Sequence, residues 1–267
     1  LHKRPQRLIK RNKHNLSQRK GHKSMIIAIA NQKGGQAKTT TAQALATGSK
    51  GKTLAIDLDP QSNLTFSMGG NGADVGVYEL ITGQTTAGQT VQHTKQGDII
   101  TASASLALAD TTFTGKERTD ALKAAIKPLR SKYDHIIIDC PPTLNTLLLN
   151  ALEAADMVII PLTADMYALQ GLYQLTQTIR TRQKSNKGLV IGGVLFVKHN
   201  TRTILARDLT DVITDKCREL DIPVYKTTIR EGVAIREAQT QRESIFDYAP
   251  RSNPAKDYKQ LIKEIGL

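Results

Sequence analysis

The sequence predicts an α/β fold in one domain, a mostly parallel, twisted sheet flanked by helices on both faces. Three observations carry this. Short apolar runs recur at residues 25–30 (MIIAIA), 53–58, 136–139, 157–161 and 189–197. None alternates polar with apolar, so each reads as a strand covered on both sides. Helix-length segments separate the runs, and strands alternating with helices build a parallel sheet through right-handed crossovers. No internal repeat or linker interrupts residues 25–267, a length that buries one large core.

The elements follow in order. The run 25–30 opens the fold and leads through a glycine-rich turn into a helix. The run 53–58 is the second strand and ends among acids. Residues 69–97, rich in Gly, Thr and Gln, read as an irregular excursion with one short helix near 77–81. The run 136–139 delivers Asp139, and 157–161 is the next buried strand. A helix beginning near Asp165 places Leu169, Leu172, Leu175 and Ile179 on one apolar face. The run 189–197 is the last strand. Near the end, Tyr258, Leu261, Ile262 and Ile265 share a helix face, which reads as core packing.

Composition excludes several classes. The 267 residues are 39% hydrophobic and 23% charged, ordinary for a globular domain. No apolar stretch approaches the roughly 18 residues of a membrane span, and the basic start lacks the apolar run of a secretory signal. A cytoplasmic protein with no stable membrane association is therefore expected. Cys140 and Cys217 are the only cysteines, which excludes a cysteine-built zinc or iron–sulfur site within one chain. The formal net charge of +13 is mostly a tail, because residues 1–24 hold nine Lys or Arg and no acid. Such a segment cannot bury enough surface to fold alone, so residues 1–24 are expected to be a basic, disordered extension. It reads either as a solvated tail ahead of the first strand or as a DNA-binding arm.

Three motifs carry chemistry. Directly after the first strand stands Asn31-Gln32-Lys33-Gly34-Gly35-Gln36-Ala37-Lys38-Thr39-Thr40, and a helix follows. Glycines let the backbone approach phosphates, and N–H groups at a helix start point at the anion. Gly34, Gly35, Gln36, Ala37, Lys38, Thr39 and Thr40 thus form a candidate phosphate cradle, with Lys38 on the phosphates and the Thr39 hydroxyl on Mg²⁺. The strict G-x-x-x-x-G-K-[ST] pattern fails at Asn31 and Ala37, whereas K-G-G-x-x-K-[ST] fits in full and adds Lys33. The second motif, Asp57-Leu-Asp59-Pro60-Gln61-Ser62-Asn63, ends the next strand. Alone it is as readily a cap or turn, but beside the loop its acids lie where ligands bind in parallel sheets. The third, Ile136-Ile-Ile-Asp139-Cys-Pro141-Pro142, delivers a carboxylate to the same place, the arrangement that holds Mg²⁺ in P-loop NTPases. Cys140, without a partnered His, is a small buried neighbour.

Together these motifs resemble the ParA partition ATPases, whose variant phosphate loop is shared with MinD and nitrogenase iron protein. The likeness extends over residues 25–267, including 156–172, 193–205 and 244–258. It implies an ATPase that uses ATP and Mg²⁺, forms an ATP-dependent homodimer and binds double-stranded DNA without sequence preference. It further implies stimulation by a ParB-like centromere-binding partner and a nucleoid location. Under this resemblance Lys33, Lys38 and Asp59 are catalytic. Lys33, with no evident work in its own subunit, crosses to the partner's nucleotide as an arginine finger does. Asp59 orients the attacking water, Thr39 and Asp139 hold Mg²⁺, and Asp57 supports its shell. Asn200 is a candidate for the adenine edge, and an Asn there is as readily a turn residue.

Two departures bear on this. The family usually has glycine at Ala37, where a Cβ strains the loop if φ is positive, so hydrolysis is expected to be slow. In residues 228–239 Arg230, Glu231 and Ala234 replace a proline and two arginines. DNA contacts therefore rest on charge alone, with Lys198, Arg202, Arg207, Lys216, Arg218 and Arg230 as candidates, each equally readable as a solvated surface charge. The competing functions are a MinD-like membrane-associated positioning ATPase, a cofactor-pathway ligase and a barely hydrolysing, ATP-gated DNA-binding scaffold.

Overall fold

The computed structural model describes residues 24–73, 75–113, 119–199 and 204–267. Residues 1–23, all of the predicted extension 1–24 but its last residue, lie outside it, and Ser24 is buried. Seven strands form one sheet in the order β3-β4-β2-β5-β1-β6-β7. They are β1 Met25–Ile29, β2 Thr53–Asp57, β3 Val91–Thr94, β4 Gly97–Ile100, β5 His135–Asp139, β6 Met157–Leu162 and β7 Val190–Phe196. All pair in parallel except the β3–β4 hairpin. The five predicted strands are present. The excursion at 69–97 is corrected: beyond the helix Val77–Ile81 it contains the helix Ala87–Thr90, all of β3 and the first residue of β4, so it extends the sheet.

Strand alternation divides the core into two layers. Ile26, Ala28, Leu54, Ile56, Ile136 and Ile138 face the helices Thr146–Ala154, Ala168–Arg182 and Ile204–Glu219. Ile27, Ile29, Ala55 and Ile137 face the helices Lys38–Gly48 and Asn253–Ile265. Both sheet faces are dry, which is why the strands read as unbroken apolar runs. Leu172, Leu175 and Ile179 are buried as their spacing predicts, and so are Tyr258, Leu261, Ile262 and Ile265. The C-terminal helix starts cleanly, with Ser252 accepting from the Ala255 amide and Pro254 in the first turn.

Register positions the site. Asp139 lies opposite Ile29 of β1 on one side and Asp57 of β2 on the other. The carboxyl ends of three neighbouring parallel strands therefore stop at one level. The chain passes to β2 on one side of β1 and to β6 on the other, the crevice where ligands bind in such sheets.

Candidate nucleotide-binding site

The loop between β1 and the helix Lys38–Gly48 is tied down by its own side chains. Asn31 is buried and donates from Nδ2 to the Pro161 carbonyl (2.7 Å), while its Oδ1 accepts from the Lys33 amide (2.9 Å). The side-chain oxygen of Gln36 accepts from the Thr163 amide (2.6 Å). Both bonds run to the end of β6. The residue that breaks the strict glycine pattern thus replaces flexibility with a buried anchor. Gly35 at φ +73° and Ala37 at φ +52° both take the left-handed conformation. For Ala37 this realises the condition under which its Cβ costs energy, about 1–2 kcal/mol by the general penalty for L-residues.

Lys38 is buried and donates to the Lys33 carbonyl across the loop (3.2 Å). Burial pulls its ammonium pKa down, and Asp139, Cys140 and Asp59 push it back up. Asp139 is fully buried, and neither carboxylate oxygen has a hydrogen-bond partner of ordinary geometry. Its pKa is held well above the usual carboxylate range by burial and then by Asp57, against the pull of the Thr39 hydroxyl and Lys38. An anion so placed calls for a cation, so the donor set fits Mg²⁺: one hydroxyl, one unshared carboxylate and room for water and phosphate oxygens. Among the described residues no three His, Cys, Asp or Glu side chains cluster as a metal cage. Mg²⁺ beside a nucleotide does not require one, since it is held by one or two carboxylates plus phosphates.

Asp57 is different. Its oxygens accept from the Thr65 amide (2.7 Å), the Thr65 hydroxyl (2.8 Å) and the Asp59 amide (3.2 Å). Burial raises its pKa to about 6 despite these bonds. It fastens the loop that carries Asp59 and the helix Asn63–Ser67, which is support at one remove. Asp59 accepts from the Gln61 amide (3.0 Å) and lines the same pocket as the phosphate loop.

That pocket has a volume of about 520 Å³. One end is the loop, with Gly34, Gly35, Gln36, Ala37, Lys38, Thr39 and Thr40 on its wall. The other is formed by Val197, Lys198 and residues from 229 to 239, with Tyr258 of the C-terminal helix. Gln239 donates to the Thr40 hydroxyl (3.2 Å), joining the two ends. Sequence reasoning singled out Lys198, Arg230 and residues 228–239 only for DNA contact and missed this far wall, which joins loop residues to the helix Val233–Thr240. The bulky apolar Val197, Ile229 and Ile235 beside charged neighbours are the only signal it offers.

Lys33 requires a correction. It has a partner in its own subunit, since Nζ sits 2.7 Å from Asp165 and 5.7 Å from the Tyr167 ring centre. The DNA candidates that the structure describes fall into two groups, one at the nucleotide pocket and one on the helix Ile204–Glu219. Lys198 and Arg230 line the nucleotide pocket, and Arg230 is paired bidentately with Asp257 (2.9 and 2.6 Å). Lys216 and Arg218 pair with Glu219 and Asp215 along their helix. Arg207 is exposed on that helix, eleven residues before Arg218 and hence on the same side. Asn200 and Arg202 lie outside the described residues. Cys140 and Cys217 are buried with raised thiol pKa values, fitting inert neighbours.

A parallel sheet, a strand–loop–helix cradle with a buried lysine, and an unshared aspartate at the next strand's end define a P-loop α/β nucleotide-binding domain. Comparison agrees. A family model described as an AAA domain matches residues 24–191. The sporulation initiation inhibitor protein Soj of Bacillus subtilis is 39% identical over 251 residues, covering 90% of this chain and 98% of that one. The chromosome-partitioning ATPase Soj of Treponema pallidum is 34% identical over 247 residues, covering 90% and 96%. Among solved structures, cobyrinic acid a,c-diamide synthase of Mycobacterium smegmatis with bound ADP and magnesium superposes with a TM-score of 0.78. It is 32% identical and covers 90% of this chain and 93% of that one. This chain belongs to the family of the Soj and ParA chromosome-partitioning proteins.

Proposed function

We propose that this protein is a Mg²⁺-dependent ATPase of DNA partition, which binds and hydrolyses ATP. In this reading it pairs face to face on ATP, binds duplex DNA non-specifically and is stimulated by a centromere-binding partner in the cytoplasm, at the nucleoid. The observation that carries the reading is the buried, unshared Asp139 carboxylate beside Lys38 and Thr39 at the mouth of the phosphate loop. The loop amides and Lys38 would hold the phosphates, and Thr39 and Asp139 would hold Mg²⁺, which would supply positive charge beside the transferred group. Asp59, which lines the pocket wall, orients the attacking water in this reading. Lys33 supplies a second cation once it leaves Asp165 for the nucleotide of a second copy.

The family likeness supports the partition role, because curated relatives of nearly this chain's length, from Treponema pallidum and Myxococcus xanthus, are named for chromosome partitioning. Among the described residues no helix is long and apolar enough to cross a membrane. The structural likeness to the mycobacterial diamide synthase favours a second reading, a ligase that spends ATP on a carboxylate. ATP turnover separates the two. A partition ATPase is accelerated by DNA and the partner, whereas a ligase turns over only with its acid substrate. For the site itself, Lys38→Ala is expected to weaken ATP binding by at least tenfold in titration calorimetry. Affinity within twofold of the unmodified chain would remove the phosphate-loop assignment.

A further inference from the structure

The pocket wall opposite the phosphate loop is held by one helix. Residues 224–230 run along the outer edge of β7, with bridges Val194↔Val224 and His199↔Arg230. The inward amides are satisfied there, Tyr225 on the Val194 carbonyl (2.9 Å) and Ile229 on that of Phe196 (2.8 Å). Outward amides at a sheet edge ordinarily go to water or to another strand. Here carboxylates of the C-terminal helix Asn253–Ile265 take them. Glu264 accepts from the amides of Lys226 (2.8 Å) and Thr227 (2.9 Å) and from the Thr227 hydroxyl (2.7 Å). Asp257, seven residues and two turns earlier on the same helix face, accepts from the Arg230 amide (3.0 Å). It also accepts from the Arg230 guanidinium, at Nε (2.9 Å) and Nη2 (2.6 Å). One step further along the wall, a Cβ on Gly232 would meet the Pro254 ring at 2.7 Å, so the chain there lies against the helix's first turn.

The same helix reaches the other end of the site. Tyr258, adjacent to Asp257 and fully buried, shares a hydrogen bond of 3.1 Å with Thr41 on the phosphate-loop helix. Neighbouring residues of one rigid element thus touch both ends of the pocket.

We infer that the helix Asn253–Ile265 sets the position of the nucleoside end of the pocket, and that Asp257, acting through Arg230, is a positioning residue for ATP. This deepens the ATPase reading and rests on it. A bidentate, charge-assisted pair fixes direction as well as distance, so its loss lets the wall drift while the phosphate loop stays intact.

The test uses the full chain with Asp257→Asn, Arg230→Gln and the double variant. Each single change is expected to raise KM for ATP roughly tenfold, the scale of one charge-assisted contact, with kcat within twofold. Inhibition by magnesium tripolyphosphate, which occupies the loop alone, is expected to stay within twofold. The double variant is expected to be no worse than either single one, because both act through one contact. An unchanged KM, additive effects in the double variant, or a parallel loss of tripolyphosphate inhibition would overturn the inference. Arg230→Gln keeps the amide bond and guards against a folding defect in the other variant. If the unmodified chain neither binds nor hydrolyses ATP, the ATPase reading fails first and the inference falls with it.

Discussion

Neither oxygen of Asp139 has a hydrogen-bond partner of ordinary geometry, while Asp57 at the same level of the sheet accepts three bonds. The difference gives two neighbouring carboxylates separate work and makes a pH prediction. Both groups bind their proton more tightly folded than unfolded, because burial raises both pKa values. Stability contributed by such a group is therefore lost as pH rises, from about 4, the unfolded value, to about 6 for Asp57, and likewise above the ordinary carboxylate range for Asp139. Without nucleotide, Asp139→Asn is expected to melt about 3–5 °C above the unmodified chain at pH 8. The gain should shrink toward pH 5, and Mg·ATP should raise the melting point of the unmodified chain more than that of the variant. Calorimetry showing the variant less stable at pH 8 would mean that the buried charge is compensated. Ala37 makes a second residue-scale prediction. At φ +52° a β-branched side chain fits worse still, so Ala37→Val is expected to cost about 1–2 kcal/mol in denaturant unfolding. Ala37→Gly should raise a slow turnover.

The phosphate-loop element presents Lys33 to Asp165 across 132 positions of sequence. Lys33→Ala is expected to hold ATP within twofold yet remain monomeric with ATP in sedimentation, since the loop keeps Lys38. Normal dimerisation would remove its cross-subunit role. Asp59→Ala should do the reverse, pairing on ATP without hydrolysing it, and undiminished turnover would take Asp59 out of the catalytic set. The loop, Asp139 and the five buried strands were legible because each obeys a local rule: a glycine pattern between strand and helix, or an apolar run dry on both faces. The hairpin was not. Val91–Thr94 and Gly97–Ile100 are four-residue strands at the sheet's margin with exposed or half-exposed residues among them, so neither shows an apolar run. Lys33's partner and the far wall were illegible for another reason. They join residues far apart in sequence, in loops and on the helices Val233–Thr240 and Asn253–Ile265, and nothing local in sequence records that pairing.

At the scale of the molecule, charge and association meet in DNA binding. If a nucleotide-bound pair lies across a duplex, cations of both copies face one backbone. With two to four phosphates neutralised per copy, log affinity should fall against log salt with a slope of roughly −4 to −7 with ATP, and less steeply without. Residues 1–24, with nine Lys or Arg, could produce binding in any nucleotide state, so the comparison is a chain starting at Met25. Retained ATP-dependent, salt-sensitive binding supports the folded domain as the DNA surface, and complete loss assigns DNA binding to the tail.

The carboxylates that cover the outer edge of β7 have a consequence for assembly. Amides at 226, 227 and 230, which a foreign strand would need, are already taken by Glu264 and Asp257. On the opposite margin, β3 offers only four residues. Copies of this protein are thus poorly equipped to join sheet to sheet into a fibre by accident. If copies gather on a nucleoid and pair through the loop face, as proposed above, these covered edges leave crowding alone a weak substitute for ATP.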